Sequence, residues 1–225
     1  MRQLSVPARE AHLWEVCKRP PRFIALAGSA GSLEGFRAIL SRLPREFPSP
    51  IMILQHREKR RGPDDALVQI LSRSSVLKVA KANQGDHLVA GNVYVGPPDR
   101  HISVTESLDI ELTDGPLLNW NRPSADWLFD SLARRFGAAV IAIVLSGALM
   151  DGAAGVVKVK MGGGQVIVQD PQTALFKGMP TASIATGCAD FVLPIQRIAD
   201  ALITLTMVPG ATELFSVPLP AWARS

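Results

Sequence analysis

Hydrophobic residues along this chain fall into short β-branched runs, separated by longer stretches in which apolar positions recur every three or four residues. The short runs at 23–28, 51–56, 76–78, 92–95, 102–105, 139–146, 165–169 and 191–193 predict strands. The stretches at 33–43, 63–72, 124–136, 152–161, 180–186 and 194–207 predict helices, several of them opening on Ser, Asp or Pro, where a helix starts best. Strand and helix alternate, which predicts an α/β fold: a doubly wound, mainly parallel sheet with helices on both faces. The segment 91–115 breaks the rhythm, because Gly96-Pro97-Pro98 and Asp114-Gly115 interrupt it and leave no room for a crossover helix. It predicts an antiparallel hairpin appended to the sheet. Residues 1–21 and 209–225 fall outside the pattern and are expected as an N-terminal extension and a C-terminal tail around one domain over 22–208.

Composition narrows the setting. With 225 residues, 47% of them hydrophobic and 20% charged, the chain can bury one large core. Its longest apolar run, 138–145, is far short of the roughly 20 residues a bilayer-spanning helix needs. The first residues mix charges without an apolar stretch, so neither a membrane span nor export is expected. The two cysteines, Cys17 and Cys188, match no metal spacing and cannot form a disulfide framework, which fits a reducing cytoplasm. The net charge of +4 is concentrated partly in Arg57, Lys59, Arg60 and Arg61. That cluster reads either as a solvated loop or as a docking patch for an acidic protein partner. Nucleic acid is not expected as a partner, since no aromatics interleave the cluster and no binding motif accompanies it.

In an open parallel sheet, ligands bind beyond the carboxyl ends of the strands. The first predicted strand ends in Gly28-Ser29-Ala30-Gly31-Ser32, the second in Gln55-His56, and the long apolar one in Ser146-Gly147-Ala148-Leu149-Met150-Asp151. A serine hydroxyl is a weak nucleophile unless a base takes its proton and a third group fixes the base's tautomer. Ser29, His56 and Asp151 can fill those roles, with backbone N–H groups around Ala30 and Gly31 facing a developing oxyanion. Each residue also has a bland structural reading: Ser29 as a turn or cap residue, His56 as a satisfied histidine, Asp151 as the cap of its own helix. Their shared position at strand ends favours the chemical reading. A nucleotide-binding, Rossmann-like module is the rival from another class. Against it, the glycines at Gly28, Gly31 and Gly35 miss the G-x-G-x-x-G spacing, His56 stands where a ribose-binding acid is needed, and no Lys-Ser or Lys-Thr pair follows.

These stretches, together with Val93-Tyr94-Val95-Gly96-Pro97-Pro98-Asp99-Arg100-His101, Arg122-Pro123-Ser124-Ala125-Asp126, Gln169-Asp170 and Gly178-Met179-Pro180, resemble the catalytic domain of the protein-glutamate methylesterases of bacterial chemotaxis. The resemblance covers about residues 23–207. It implies Ser29 as nucleophile, His56 as base and Asp151 as orienting acid, with the backbone at Ala148 contributing to the oxyanion site. It also implies methylated glutamates on the cytoplasmic helices of chemoreceptors, or on another methylated protein, as substrate, with glutamine deamidation as a second activity in some members. No metal and no organic cofactor is implied. Family members commonly carry a receiver domain ahead of this one, for which the residues before Phe23 leave no room. The sequence leaves the oligomeric state open, a monomer included.

The chain departs from the family pattern in the first turn and in the loop before Asp151. Ala30 stands where Thr is usual and Ser32 where Gly is usual, while Ala148 replaces a Met and Leu149 a Gly. Leu149 is expected to redirect the loop if its backbone must take a positive φ. The alternative reading is therefore a catalytically impaired homologue acting as a binding or regulatory module. Asp99 and His101 are expected to make structural contacts near the Pro-Pro turn, and Asp126 and Asp170 to cap helices or fix loops.

Overall fold

The computed structural model describes residues 22–58, 65–215 and 217–223. The expected N-terminal extension and the cluster Lys59, Arg60 and Arg61 lie outside the described residues. Among the described residues nine strands form: β1 (Phe23–Gly28), β2 (Ile51–Gln55), β3 (Lys78–Lys81), β4 (Asn92–Val95), β5 (His101–Val104), β6 (Ile110–Thr113), β7 (Val140–Val144), β8 (Gln165–Gln169) and β9 (Phe191–Leu193). The helices are α1 (Leu33–Leu40), α2 (Ala66–Arg73), α3 (Ala125–Phe136), α4 (Ala153–Met161), α5 (Gly178–Ala185), α6 (Ile195–Met207) and the short α7 (Ala211–Leu214).

Seven strands make one sheet in the order β3-β4-β2-β1-β7-β8-β9, and every pairing in it is parallel. The strands are apolar on both sides because the sheet is covered on both. Phe23, Ala25 and Ala27 of β1 point into a core shared with Leu128, Phe129 and Leu132 of α3, Val156 and Val159 of α4, and Met179 of α5. Ile24 and Leu26 point the other way, toward Phe36, Ile39 and Leu40 of α1, Leu71 of α2 and Leu202 of α6. Each Val, Leu, Ile, Phe or Met among them, fully withdrawn from water, contributes about 1.5–3 kcal/mol.

The segment 91–115 differs from expectation. Asn92–Val95 is a strand of the main sheet, lodged between β3 and β2. Val93 and Val95 enter one core and Tyr94 the other, which is the signature of an interior strand. Only β5 and β6 form the antiparallel hairpin, as a separate two-stranded sheet whose Ile102, Val104, Ile110 and Leu112 pack into the first core. The third strand also lies further along than expected, at Lys78–Lys81, where it pairs with β4. Within the stretch expected as a tail, Ala211 is buried against the second core, and the Gln165 side chain donates to the Thr212 carbonyl at 3.2 Å.

Candidate active site

β1 is bonded to β2 on one side and β7 on the other, so the exits of these three strands meet where the order of strands reverses. Backbone hydrogen bonds tie the exits together: the Ser29 N–H donates to the Ser146 carbonyl at 2.9 Å and the His56 N–H to the Gly28 carbonyl at 3.1 Å.

The turn after β1 is tight. A Cβ on Gly28 would collide with the Ser32 side chain, and Gly31 takes φ +75°, where a side chain would meet Leu175 and Ser146. Ser32 directly precedes α1 without capping it. Its hydroxyl instead donates back to the Ser29 carbonyl at 2.7 Å and accepts from the Gln55 amide at 3.1 Å. Ser29 is thus neither a cap nor a buried turn residue. Its hydroxyl makes no hydrogen bond among the described residues, and none joins it to His56. Catalytic contacts of this kind commonly tighten only around substrate.

His56 follows β2 and meets Asp151 directly, with Nε2 2.7 Å from Oδ2. A carboxylate only accepts, so Nε2 carries the hydrogen and Nδ1 keeps the lone pair. The imidazole retains some solvent access while Asp151 is only 1% exposed. Asp151 does not cap its own helix, whose N-cap is Gly152 in a left-handed conformation at φ +96°. It turns instead to the start of α3, where Oδ1 accepts from the Ser124 hydroxyl at 2.7 Å and the Asp126 N–H at 3.3 Å, and Oδ2 accepts from the Ala125 N–H at 2.6 Å. A helix N-terminus is a favourable seat for a buried anion. Burial works to raise the Asp151 carboxyl, but hydrogen bonds from His56, the Ala125 N–H and Ser124 outweigh it and hold the group below its ordinary value.

Asp126, in the first turn of α3, behaves oppositely. Burial pushes its carboxyl up to about 6 against the Gly155 N–H that donates to it, and the nearby Asp151 charge adds to the rise. Between its ordinary 3.8 and about 6 the folded protein holds a proton that the unfolded chain has released, so this carboxyl's contribution to stability is lost as pH rises through that window. Asp126→Asn keeps an oxygen for Gly155 and removes the charge. The variant is expected to be more stable than wild type by about 1 kcal/mol at pH ~7.5, a figure reduced for partial solvent screening. The gap should close as pH falls toward about 4, read from urea unfolding at both pH values.

The loop after β7 carries the remaining predicted residues. Ser146 is clamped, its N–H donating to the Gln169 side chain at 2.9 Å and its hydroxyl to the Ala30 carbonyl at 2.8 Å. Gly147 exchanges backbone bonds with Phe176 and Met179, and a Cβ there would overlap Met179 Sδ and lie 3.0 Å from Ser29 Cβ. The N–H groups of Ala30, Gly31 and Ala148 have no hydrogen-bond acceptor among the described residues. All three residues are exposed at the mouth of the site. Leu149 itself takes the left-handed conformation, at φ +61°. The left-handed region costs a non-glycine residue roughly 1–2 kcal/mol, and Leu149, 70% exposed, recovers little by packing. Leu149→Gly is therefore expected to stabilise the fold by about 1 kcal/mol, seen as a higher urea midpoint at unchanged slope.

Three functional positions were not assigned roles from sequence: Ser124 and Ala125, which hold Asp151, and Gln169, which holds Ser146. The Arg-Pro-Ser-Ala-Asp run carried a helix-start signal, but nothing in it points to a carboxylate 27 residues away. Arg57 is not free for docking. It grips Asp65 through both terminal nitrogens at 2.6 Å and donates to the Gly96 carbonyl at 2.9 Å. Asp99 pairs with Arg122 at 2.7 Å and Asp170 accepts from the Gln172 N–H at 2.8 Å, both contacts that fix loops. Among the described residues, no group of three or more His, Cys, Asp or Glu side chains is placed to hold a metal ion.

A family model for the CheB methylesterase matches residues 24–202. The chain belongs to the CheB methylesterase family. A protein-glutamate methylesterase/protein-glutamine glutaminase of Leptospira interrogans is 35% identical over 182 residues, covering 81% of this chain and 93% of that protein. The protein-glutamate methylesterase FrzG of Myxococcus xanthus is 35% identical over 198 residues, and the matched region covers 87% of this chain but 57% of FrzG. The crystal structure of the Thermotoga maritima CheB methylesterase catalytic domain superposes with a TM-score of 0.79 at 33% identity, covering 83% of this chain and all of that one. The mainly parallel sheet with its separate hairpin is thus the fold of the CheB catalytic domain. Among the described residues, no helix is long and apolar enough to cross a membrane.

Proposed function

We propose that this chain is a serine-dependent protein-glutamate methylesterase that removes methyl esters from glutamate side chains of chemoreceptors, with glutamine deamidation open to the same site. The observation that carries the reading is the 2.7 Å contact between His56 Nε2 and Asp151 Oδ2 beside the Ser29 turn. It leaves Nδ1 of the imidazole as the basic atom. Ser29 Oγ attacks the ester carbonyl and its proton passes to His56 Nδ1, while Asp151 stabilises the imidazolium through Nε2–H. The unpaired N–H groups of Ala30, Gly31 and Ala148 receive the oxyanion. Collapse of the tetrahedral intermediate breaks the bond to the methoxy oxygen, which leaves as methanol with the proton from His56. Water then attacks the acyl-enzyme, giving its proton to His56, which passes it to Ser29 Oγ as the acyl bond breaks, releasing free glutamate and restoring Ser29. With a glutamine substrate the same steps release ammonia.

The methylated cytoplasmic helices of a chemoreceptor, or another methylated protein, are the partners this reading implies, and the cytoplasm is the compartment. An impaired homologue finds no support in the loop after β7, since Leu149 keeps the left-handed conformation and Ala148 contributes only its backbone N–H. Methanol release from methylated receptor tests the proposal, with wild type and Ser29→Ala side by side. Release that survives in the variant overturns the assigned nucleophile.

A further inference from the structure

His101 opens β5, and its imidazole is fully buried. Nε2 lies 2.9 Å from the Pro116 carbonyl oxygen, which only accepts, so Nε2 carries the ring hydrogen. On the other side of the ring, the Ser124 N–H donates to Nδ1 at 3.3 Å. Both contacts are satisfied by one form of the ring, the neutral Nε2–H tautomer. Trp127 stacks on it with centroids 4.5 Å apart and planes inclined by 20°, so the ring cannot swing.

A histidine needed only to fill the core has no use for an acceptor aimed at the N-cap of the neighbouring helix. Here that acceptor takes the N–H of Ser124, the N-cap of α3. Ser124 passes its hydroxyl to Asp151 Oδ1, and the next residue passes its N–H to Oδ2, the oxygen that also meets His56. We propose that His101 is a positioning residue for the reaction: by accepting the Ser124 N–H it fixes the start of α3, and through Ser124 and Ala125 it sets the orientation of Asp151 and hence of His56. This inference rests on the hydrolase reading of the site. A leucine of similar bulk would leave the buried Ser124 N–H without a partner, take the donor from the Pro116 carbonyl, and release the carboxylate's anchor.

Two amide variants separate positioning from packing. His101→Gln carries an N–H donor to where Nε2 stands and retains Pro116, but offers no acceptor at the Nδ1 position. His101→Asn places an amide oxygen near the Nδ1 position and gives up Pro116. Both lose the ring that stacks on Trp127, so both are expected to lower Tm by comparable amounts. They should differ in turnover. His101→Gln is expected to lower kcat for methanol release roughly 10- to 100-fold with KM unchanged, the scale of a small misplacement of a reacting group, whereas His101→Asn should stay close to wild type. A readout independent of turnover is the far-downfield proton resonance of the hydrogen shared by His56 Nε2 and Asp151. It should persist in His101→Asn and shift or vanish in His101→Gln. Where methanol is released, equal kcat in the two variants overturns the proposal, as does an unmoved resonance in His101→Gln. A resonance that responds as described in a protein releasing no methanol upholds the positioning role and overturns the proposed reaction instead.

Discussion

Ser29→Ala is expected to cut methanol release by about 10⁶-fold while leaving stability within about 0.5 kcal/mol of wild type. The separation of the two effects is the informative part. The Ser29 hydroxyl bonds to nothing among the described residues, whereas the backbone of Ser29 is held by the Ser146 carbonyl and by the Ser32 N–H and hydroxyl, which the substitution leaves intact. A methyl group fits where the Cβ already sits. The residual rate should exceed that of uncatalysed ester hydrolysis, because the N–H groups of Ala30, Gly31 and Ala148 still face the carbonyl. Single-turnover methanol release and urea unfolding on the same preparation check both parts. A variant that loses stability in proportion to activity would mean that Ser29 serves the turn and not the chemistry.

Asp151→Asn is expected to lower kcat by about 10⁴-fold and, unlike Ser29→Ala, to cost roughly 2 kcal/mol of stability as well. The carboxylate accepts from four groups: His56, the Ser124 hydroxyl and the N–H groups of Ala125 and Asp126. An amide can present only one accepting oxygen. If that oxygen stays with Ser124 and Asp126, the amide N–H₂ confronts both the Ala125 N–H and the His56 Nε2–H. Relief at His56 requires the imidazole to move its hydrogen to Nδ1, the atom that must take the proton of Ser29. The wrong tautomer accounts for the rate, and the stranded helix N–H for the stability. Because hydrogen bonds hold the Asp151 carboxyl below its ordinary value, its contribution to stability is present above the usual carboxylate range and is lost as pH falls into and below it. The stability gap between wild type and Asp151→Asn should therefore narrow in acid, which unfolding curves at neutral and acidic pH will show.

The sheet was legible because its central strands are almost continuously apolar while the helices repeat every three to four, and those periods depend only on local geometry. β4 was misplaced for an equally local reason. It follows β3 without a helix between them, and a parallel neighbour reached by a helix-free loop looks the same as a hairpin in one dimension. That Ser29, His56 and Asp151 gather at neighbouring strand exits could be read, because strand ends are where such a sheet presents its chemistry. What holds them could not. The grip of Ser124 on Asp151, the use of His101 Nδ1 as an acceptor and the capture of Arg57 by Asp65 are side-chain bonds whose partners are fixed only once α3, the hairpin and the turn after β2 are packed. Leu149 shows the converse limit: the residue argues against a left-handed turn, and the loop takes it anyway because Gly147 and Gly178 are pinned on either side.

The three loops that carry Ser29, His56 and Asp151 leave β1, β2 and β7, which are adjacent at the middle of the sheet and stitched to one another just past their ends. Among the described residues, backbone hydrogen bonds hold these exits to one another, so Ser29, His56 and Asp151 share one support. The centre therefore persists or dissolves together with the most protected part of the molecule, and control of turnover has to act by admitting or obstructing the substrate at the rim, not by assembling the machinery itself.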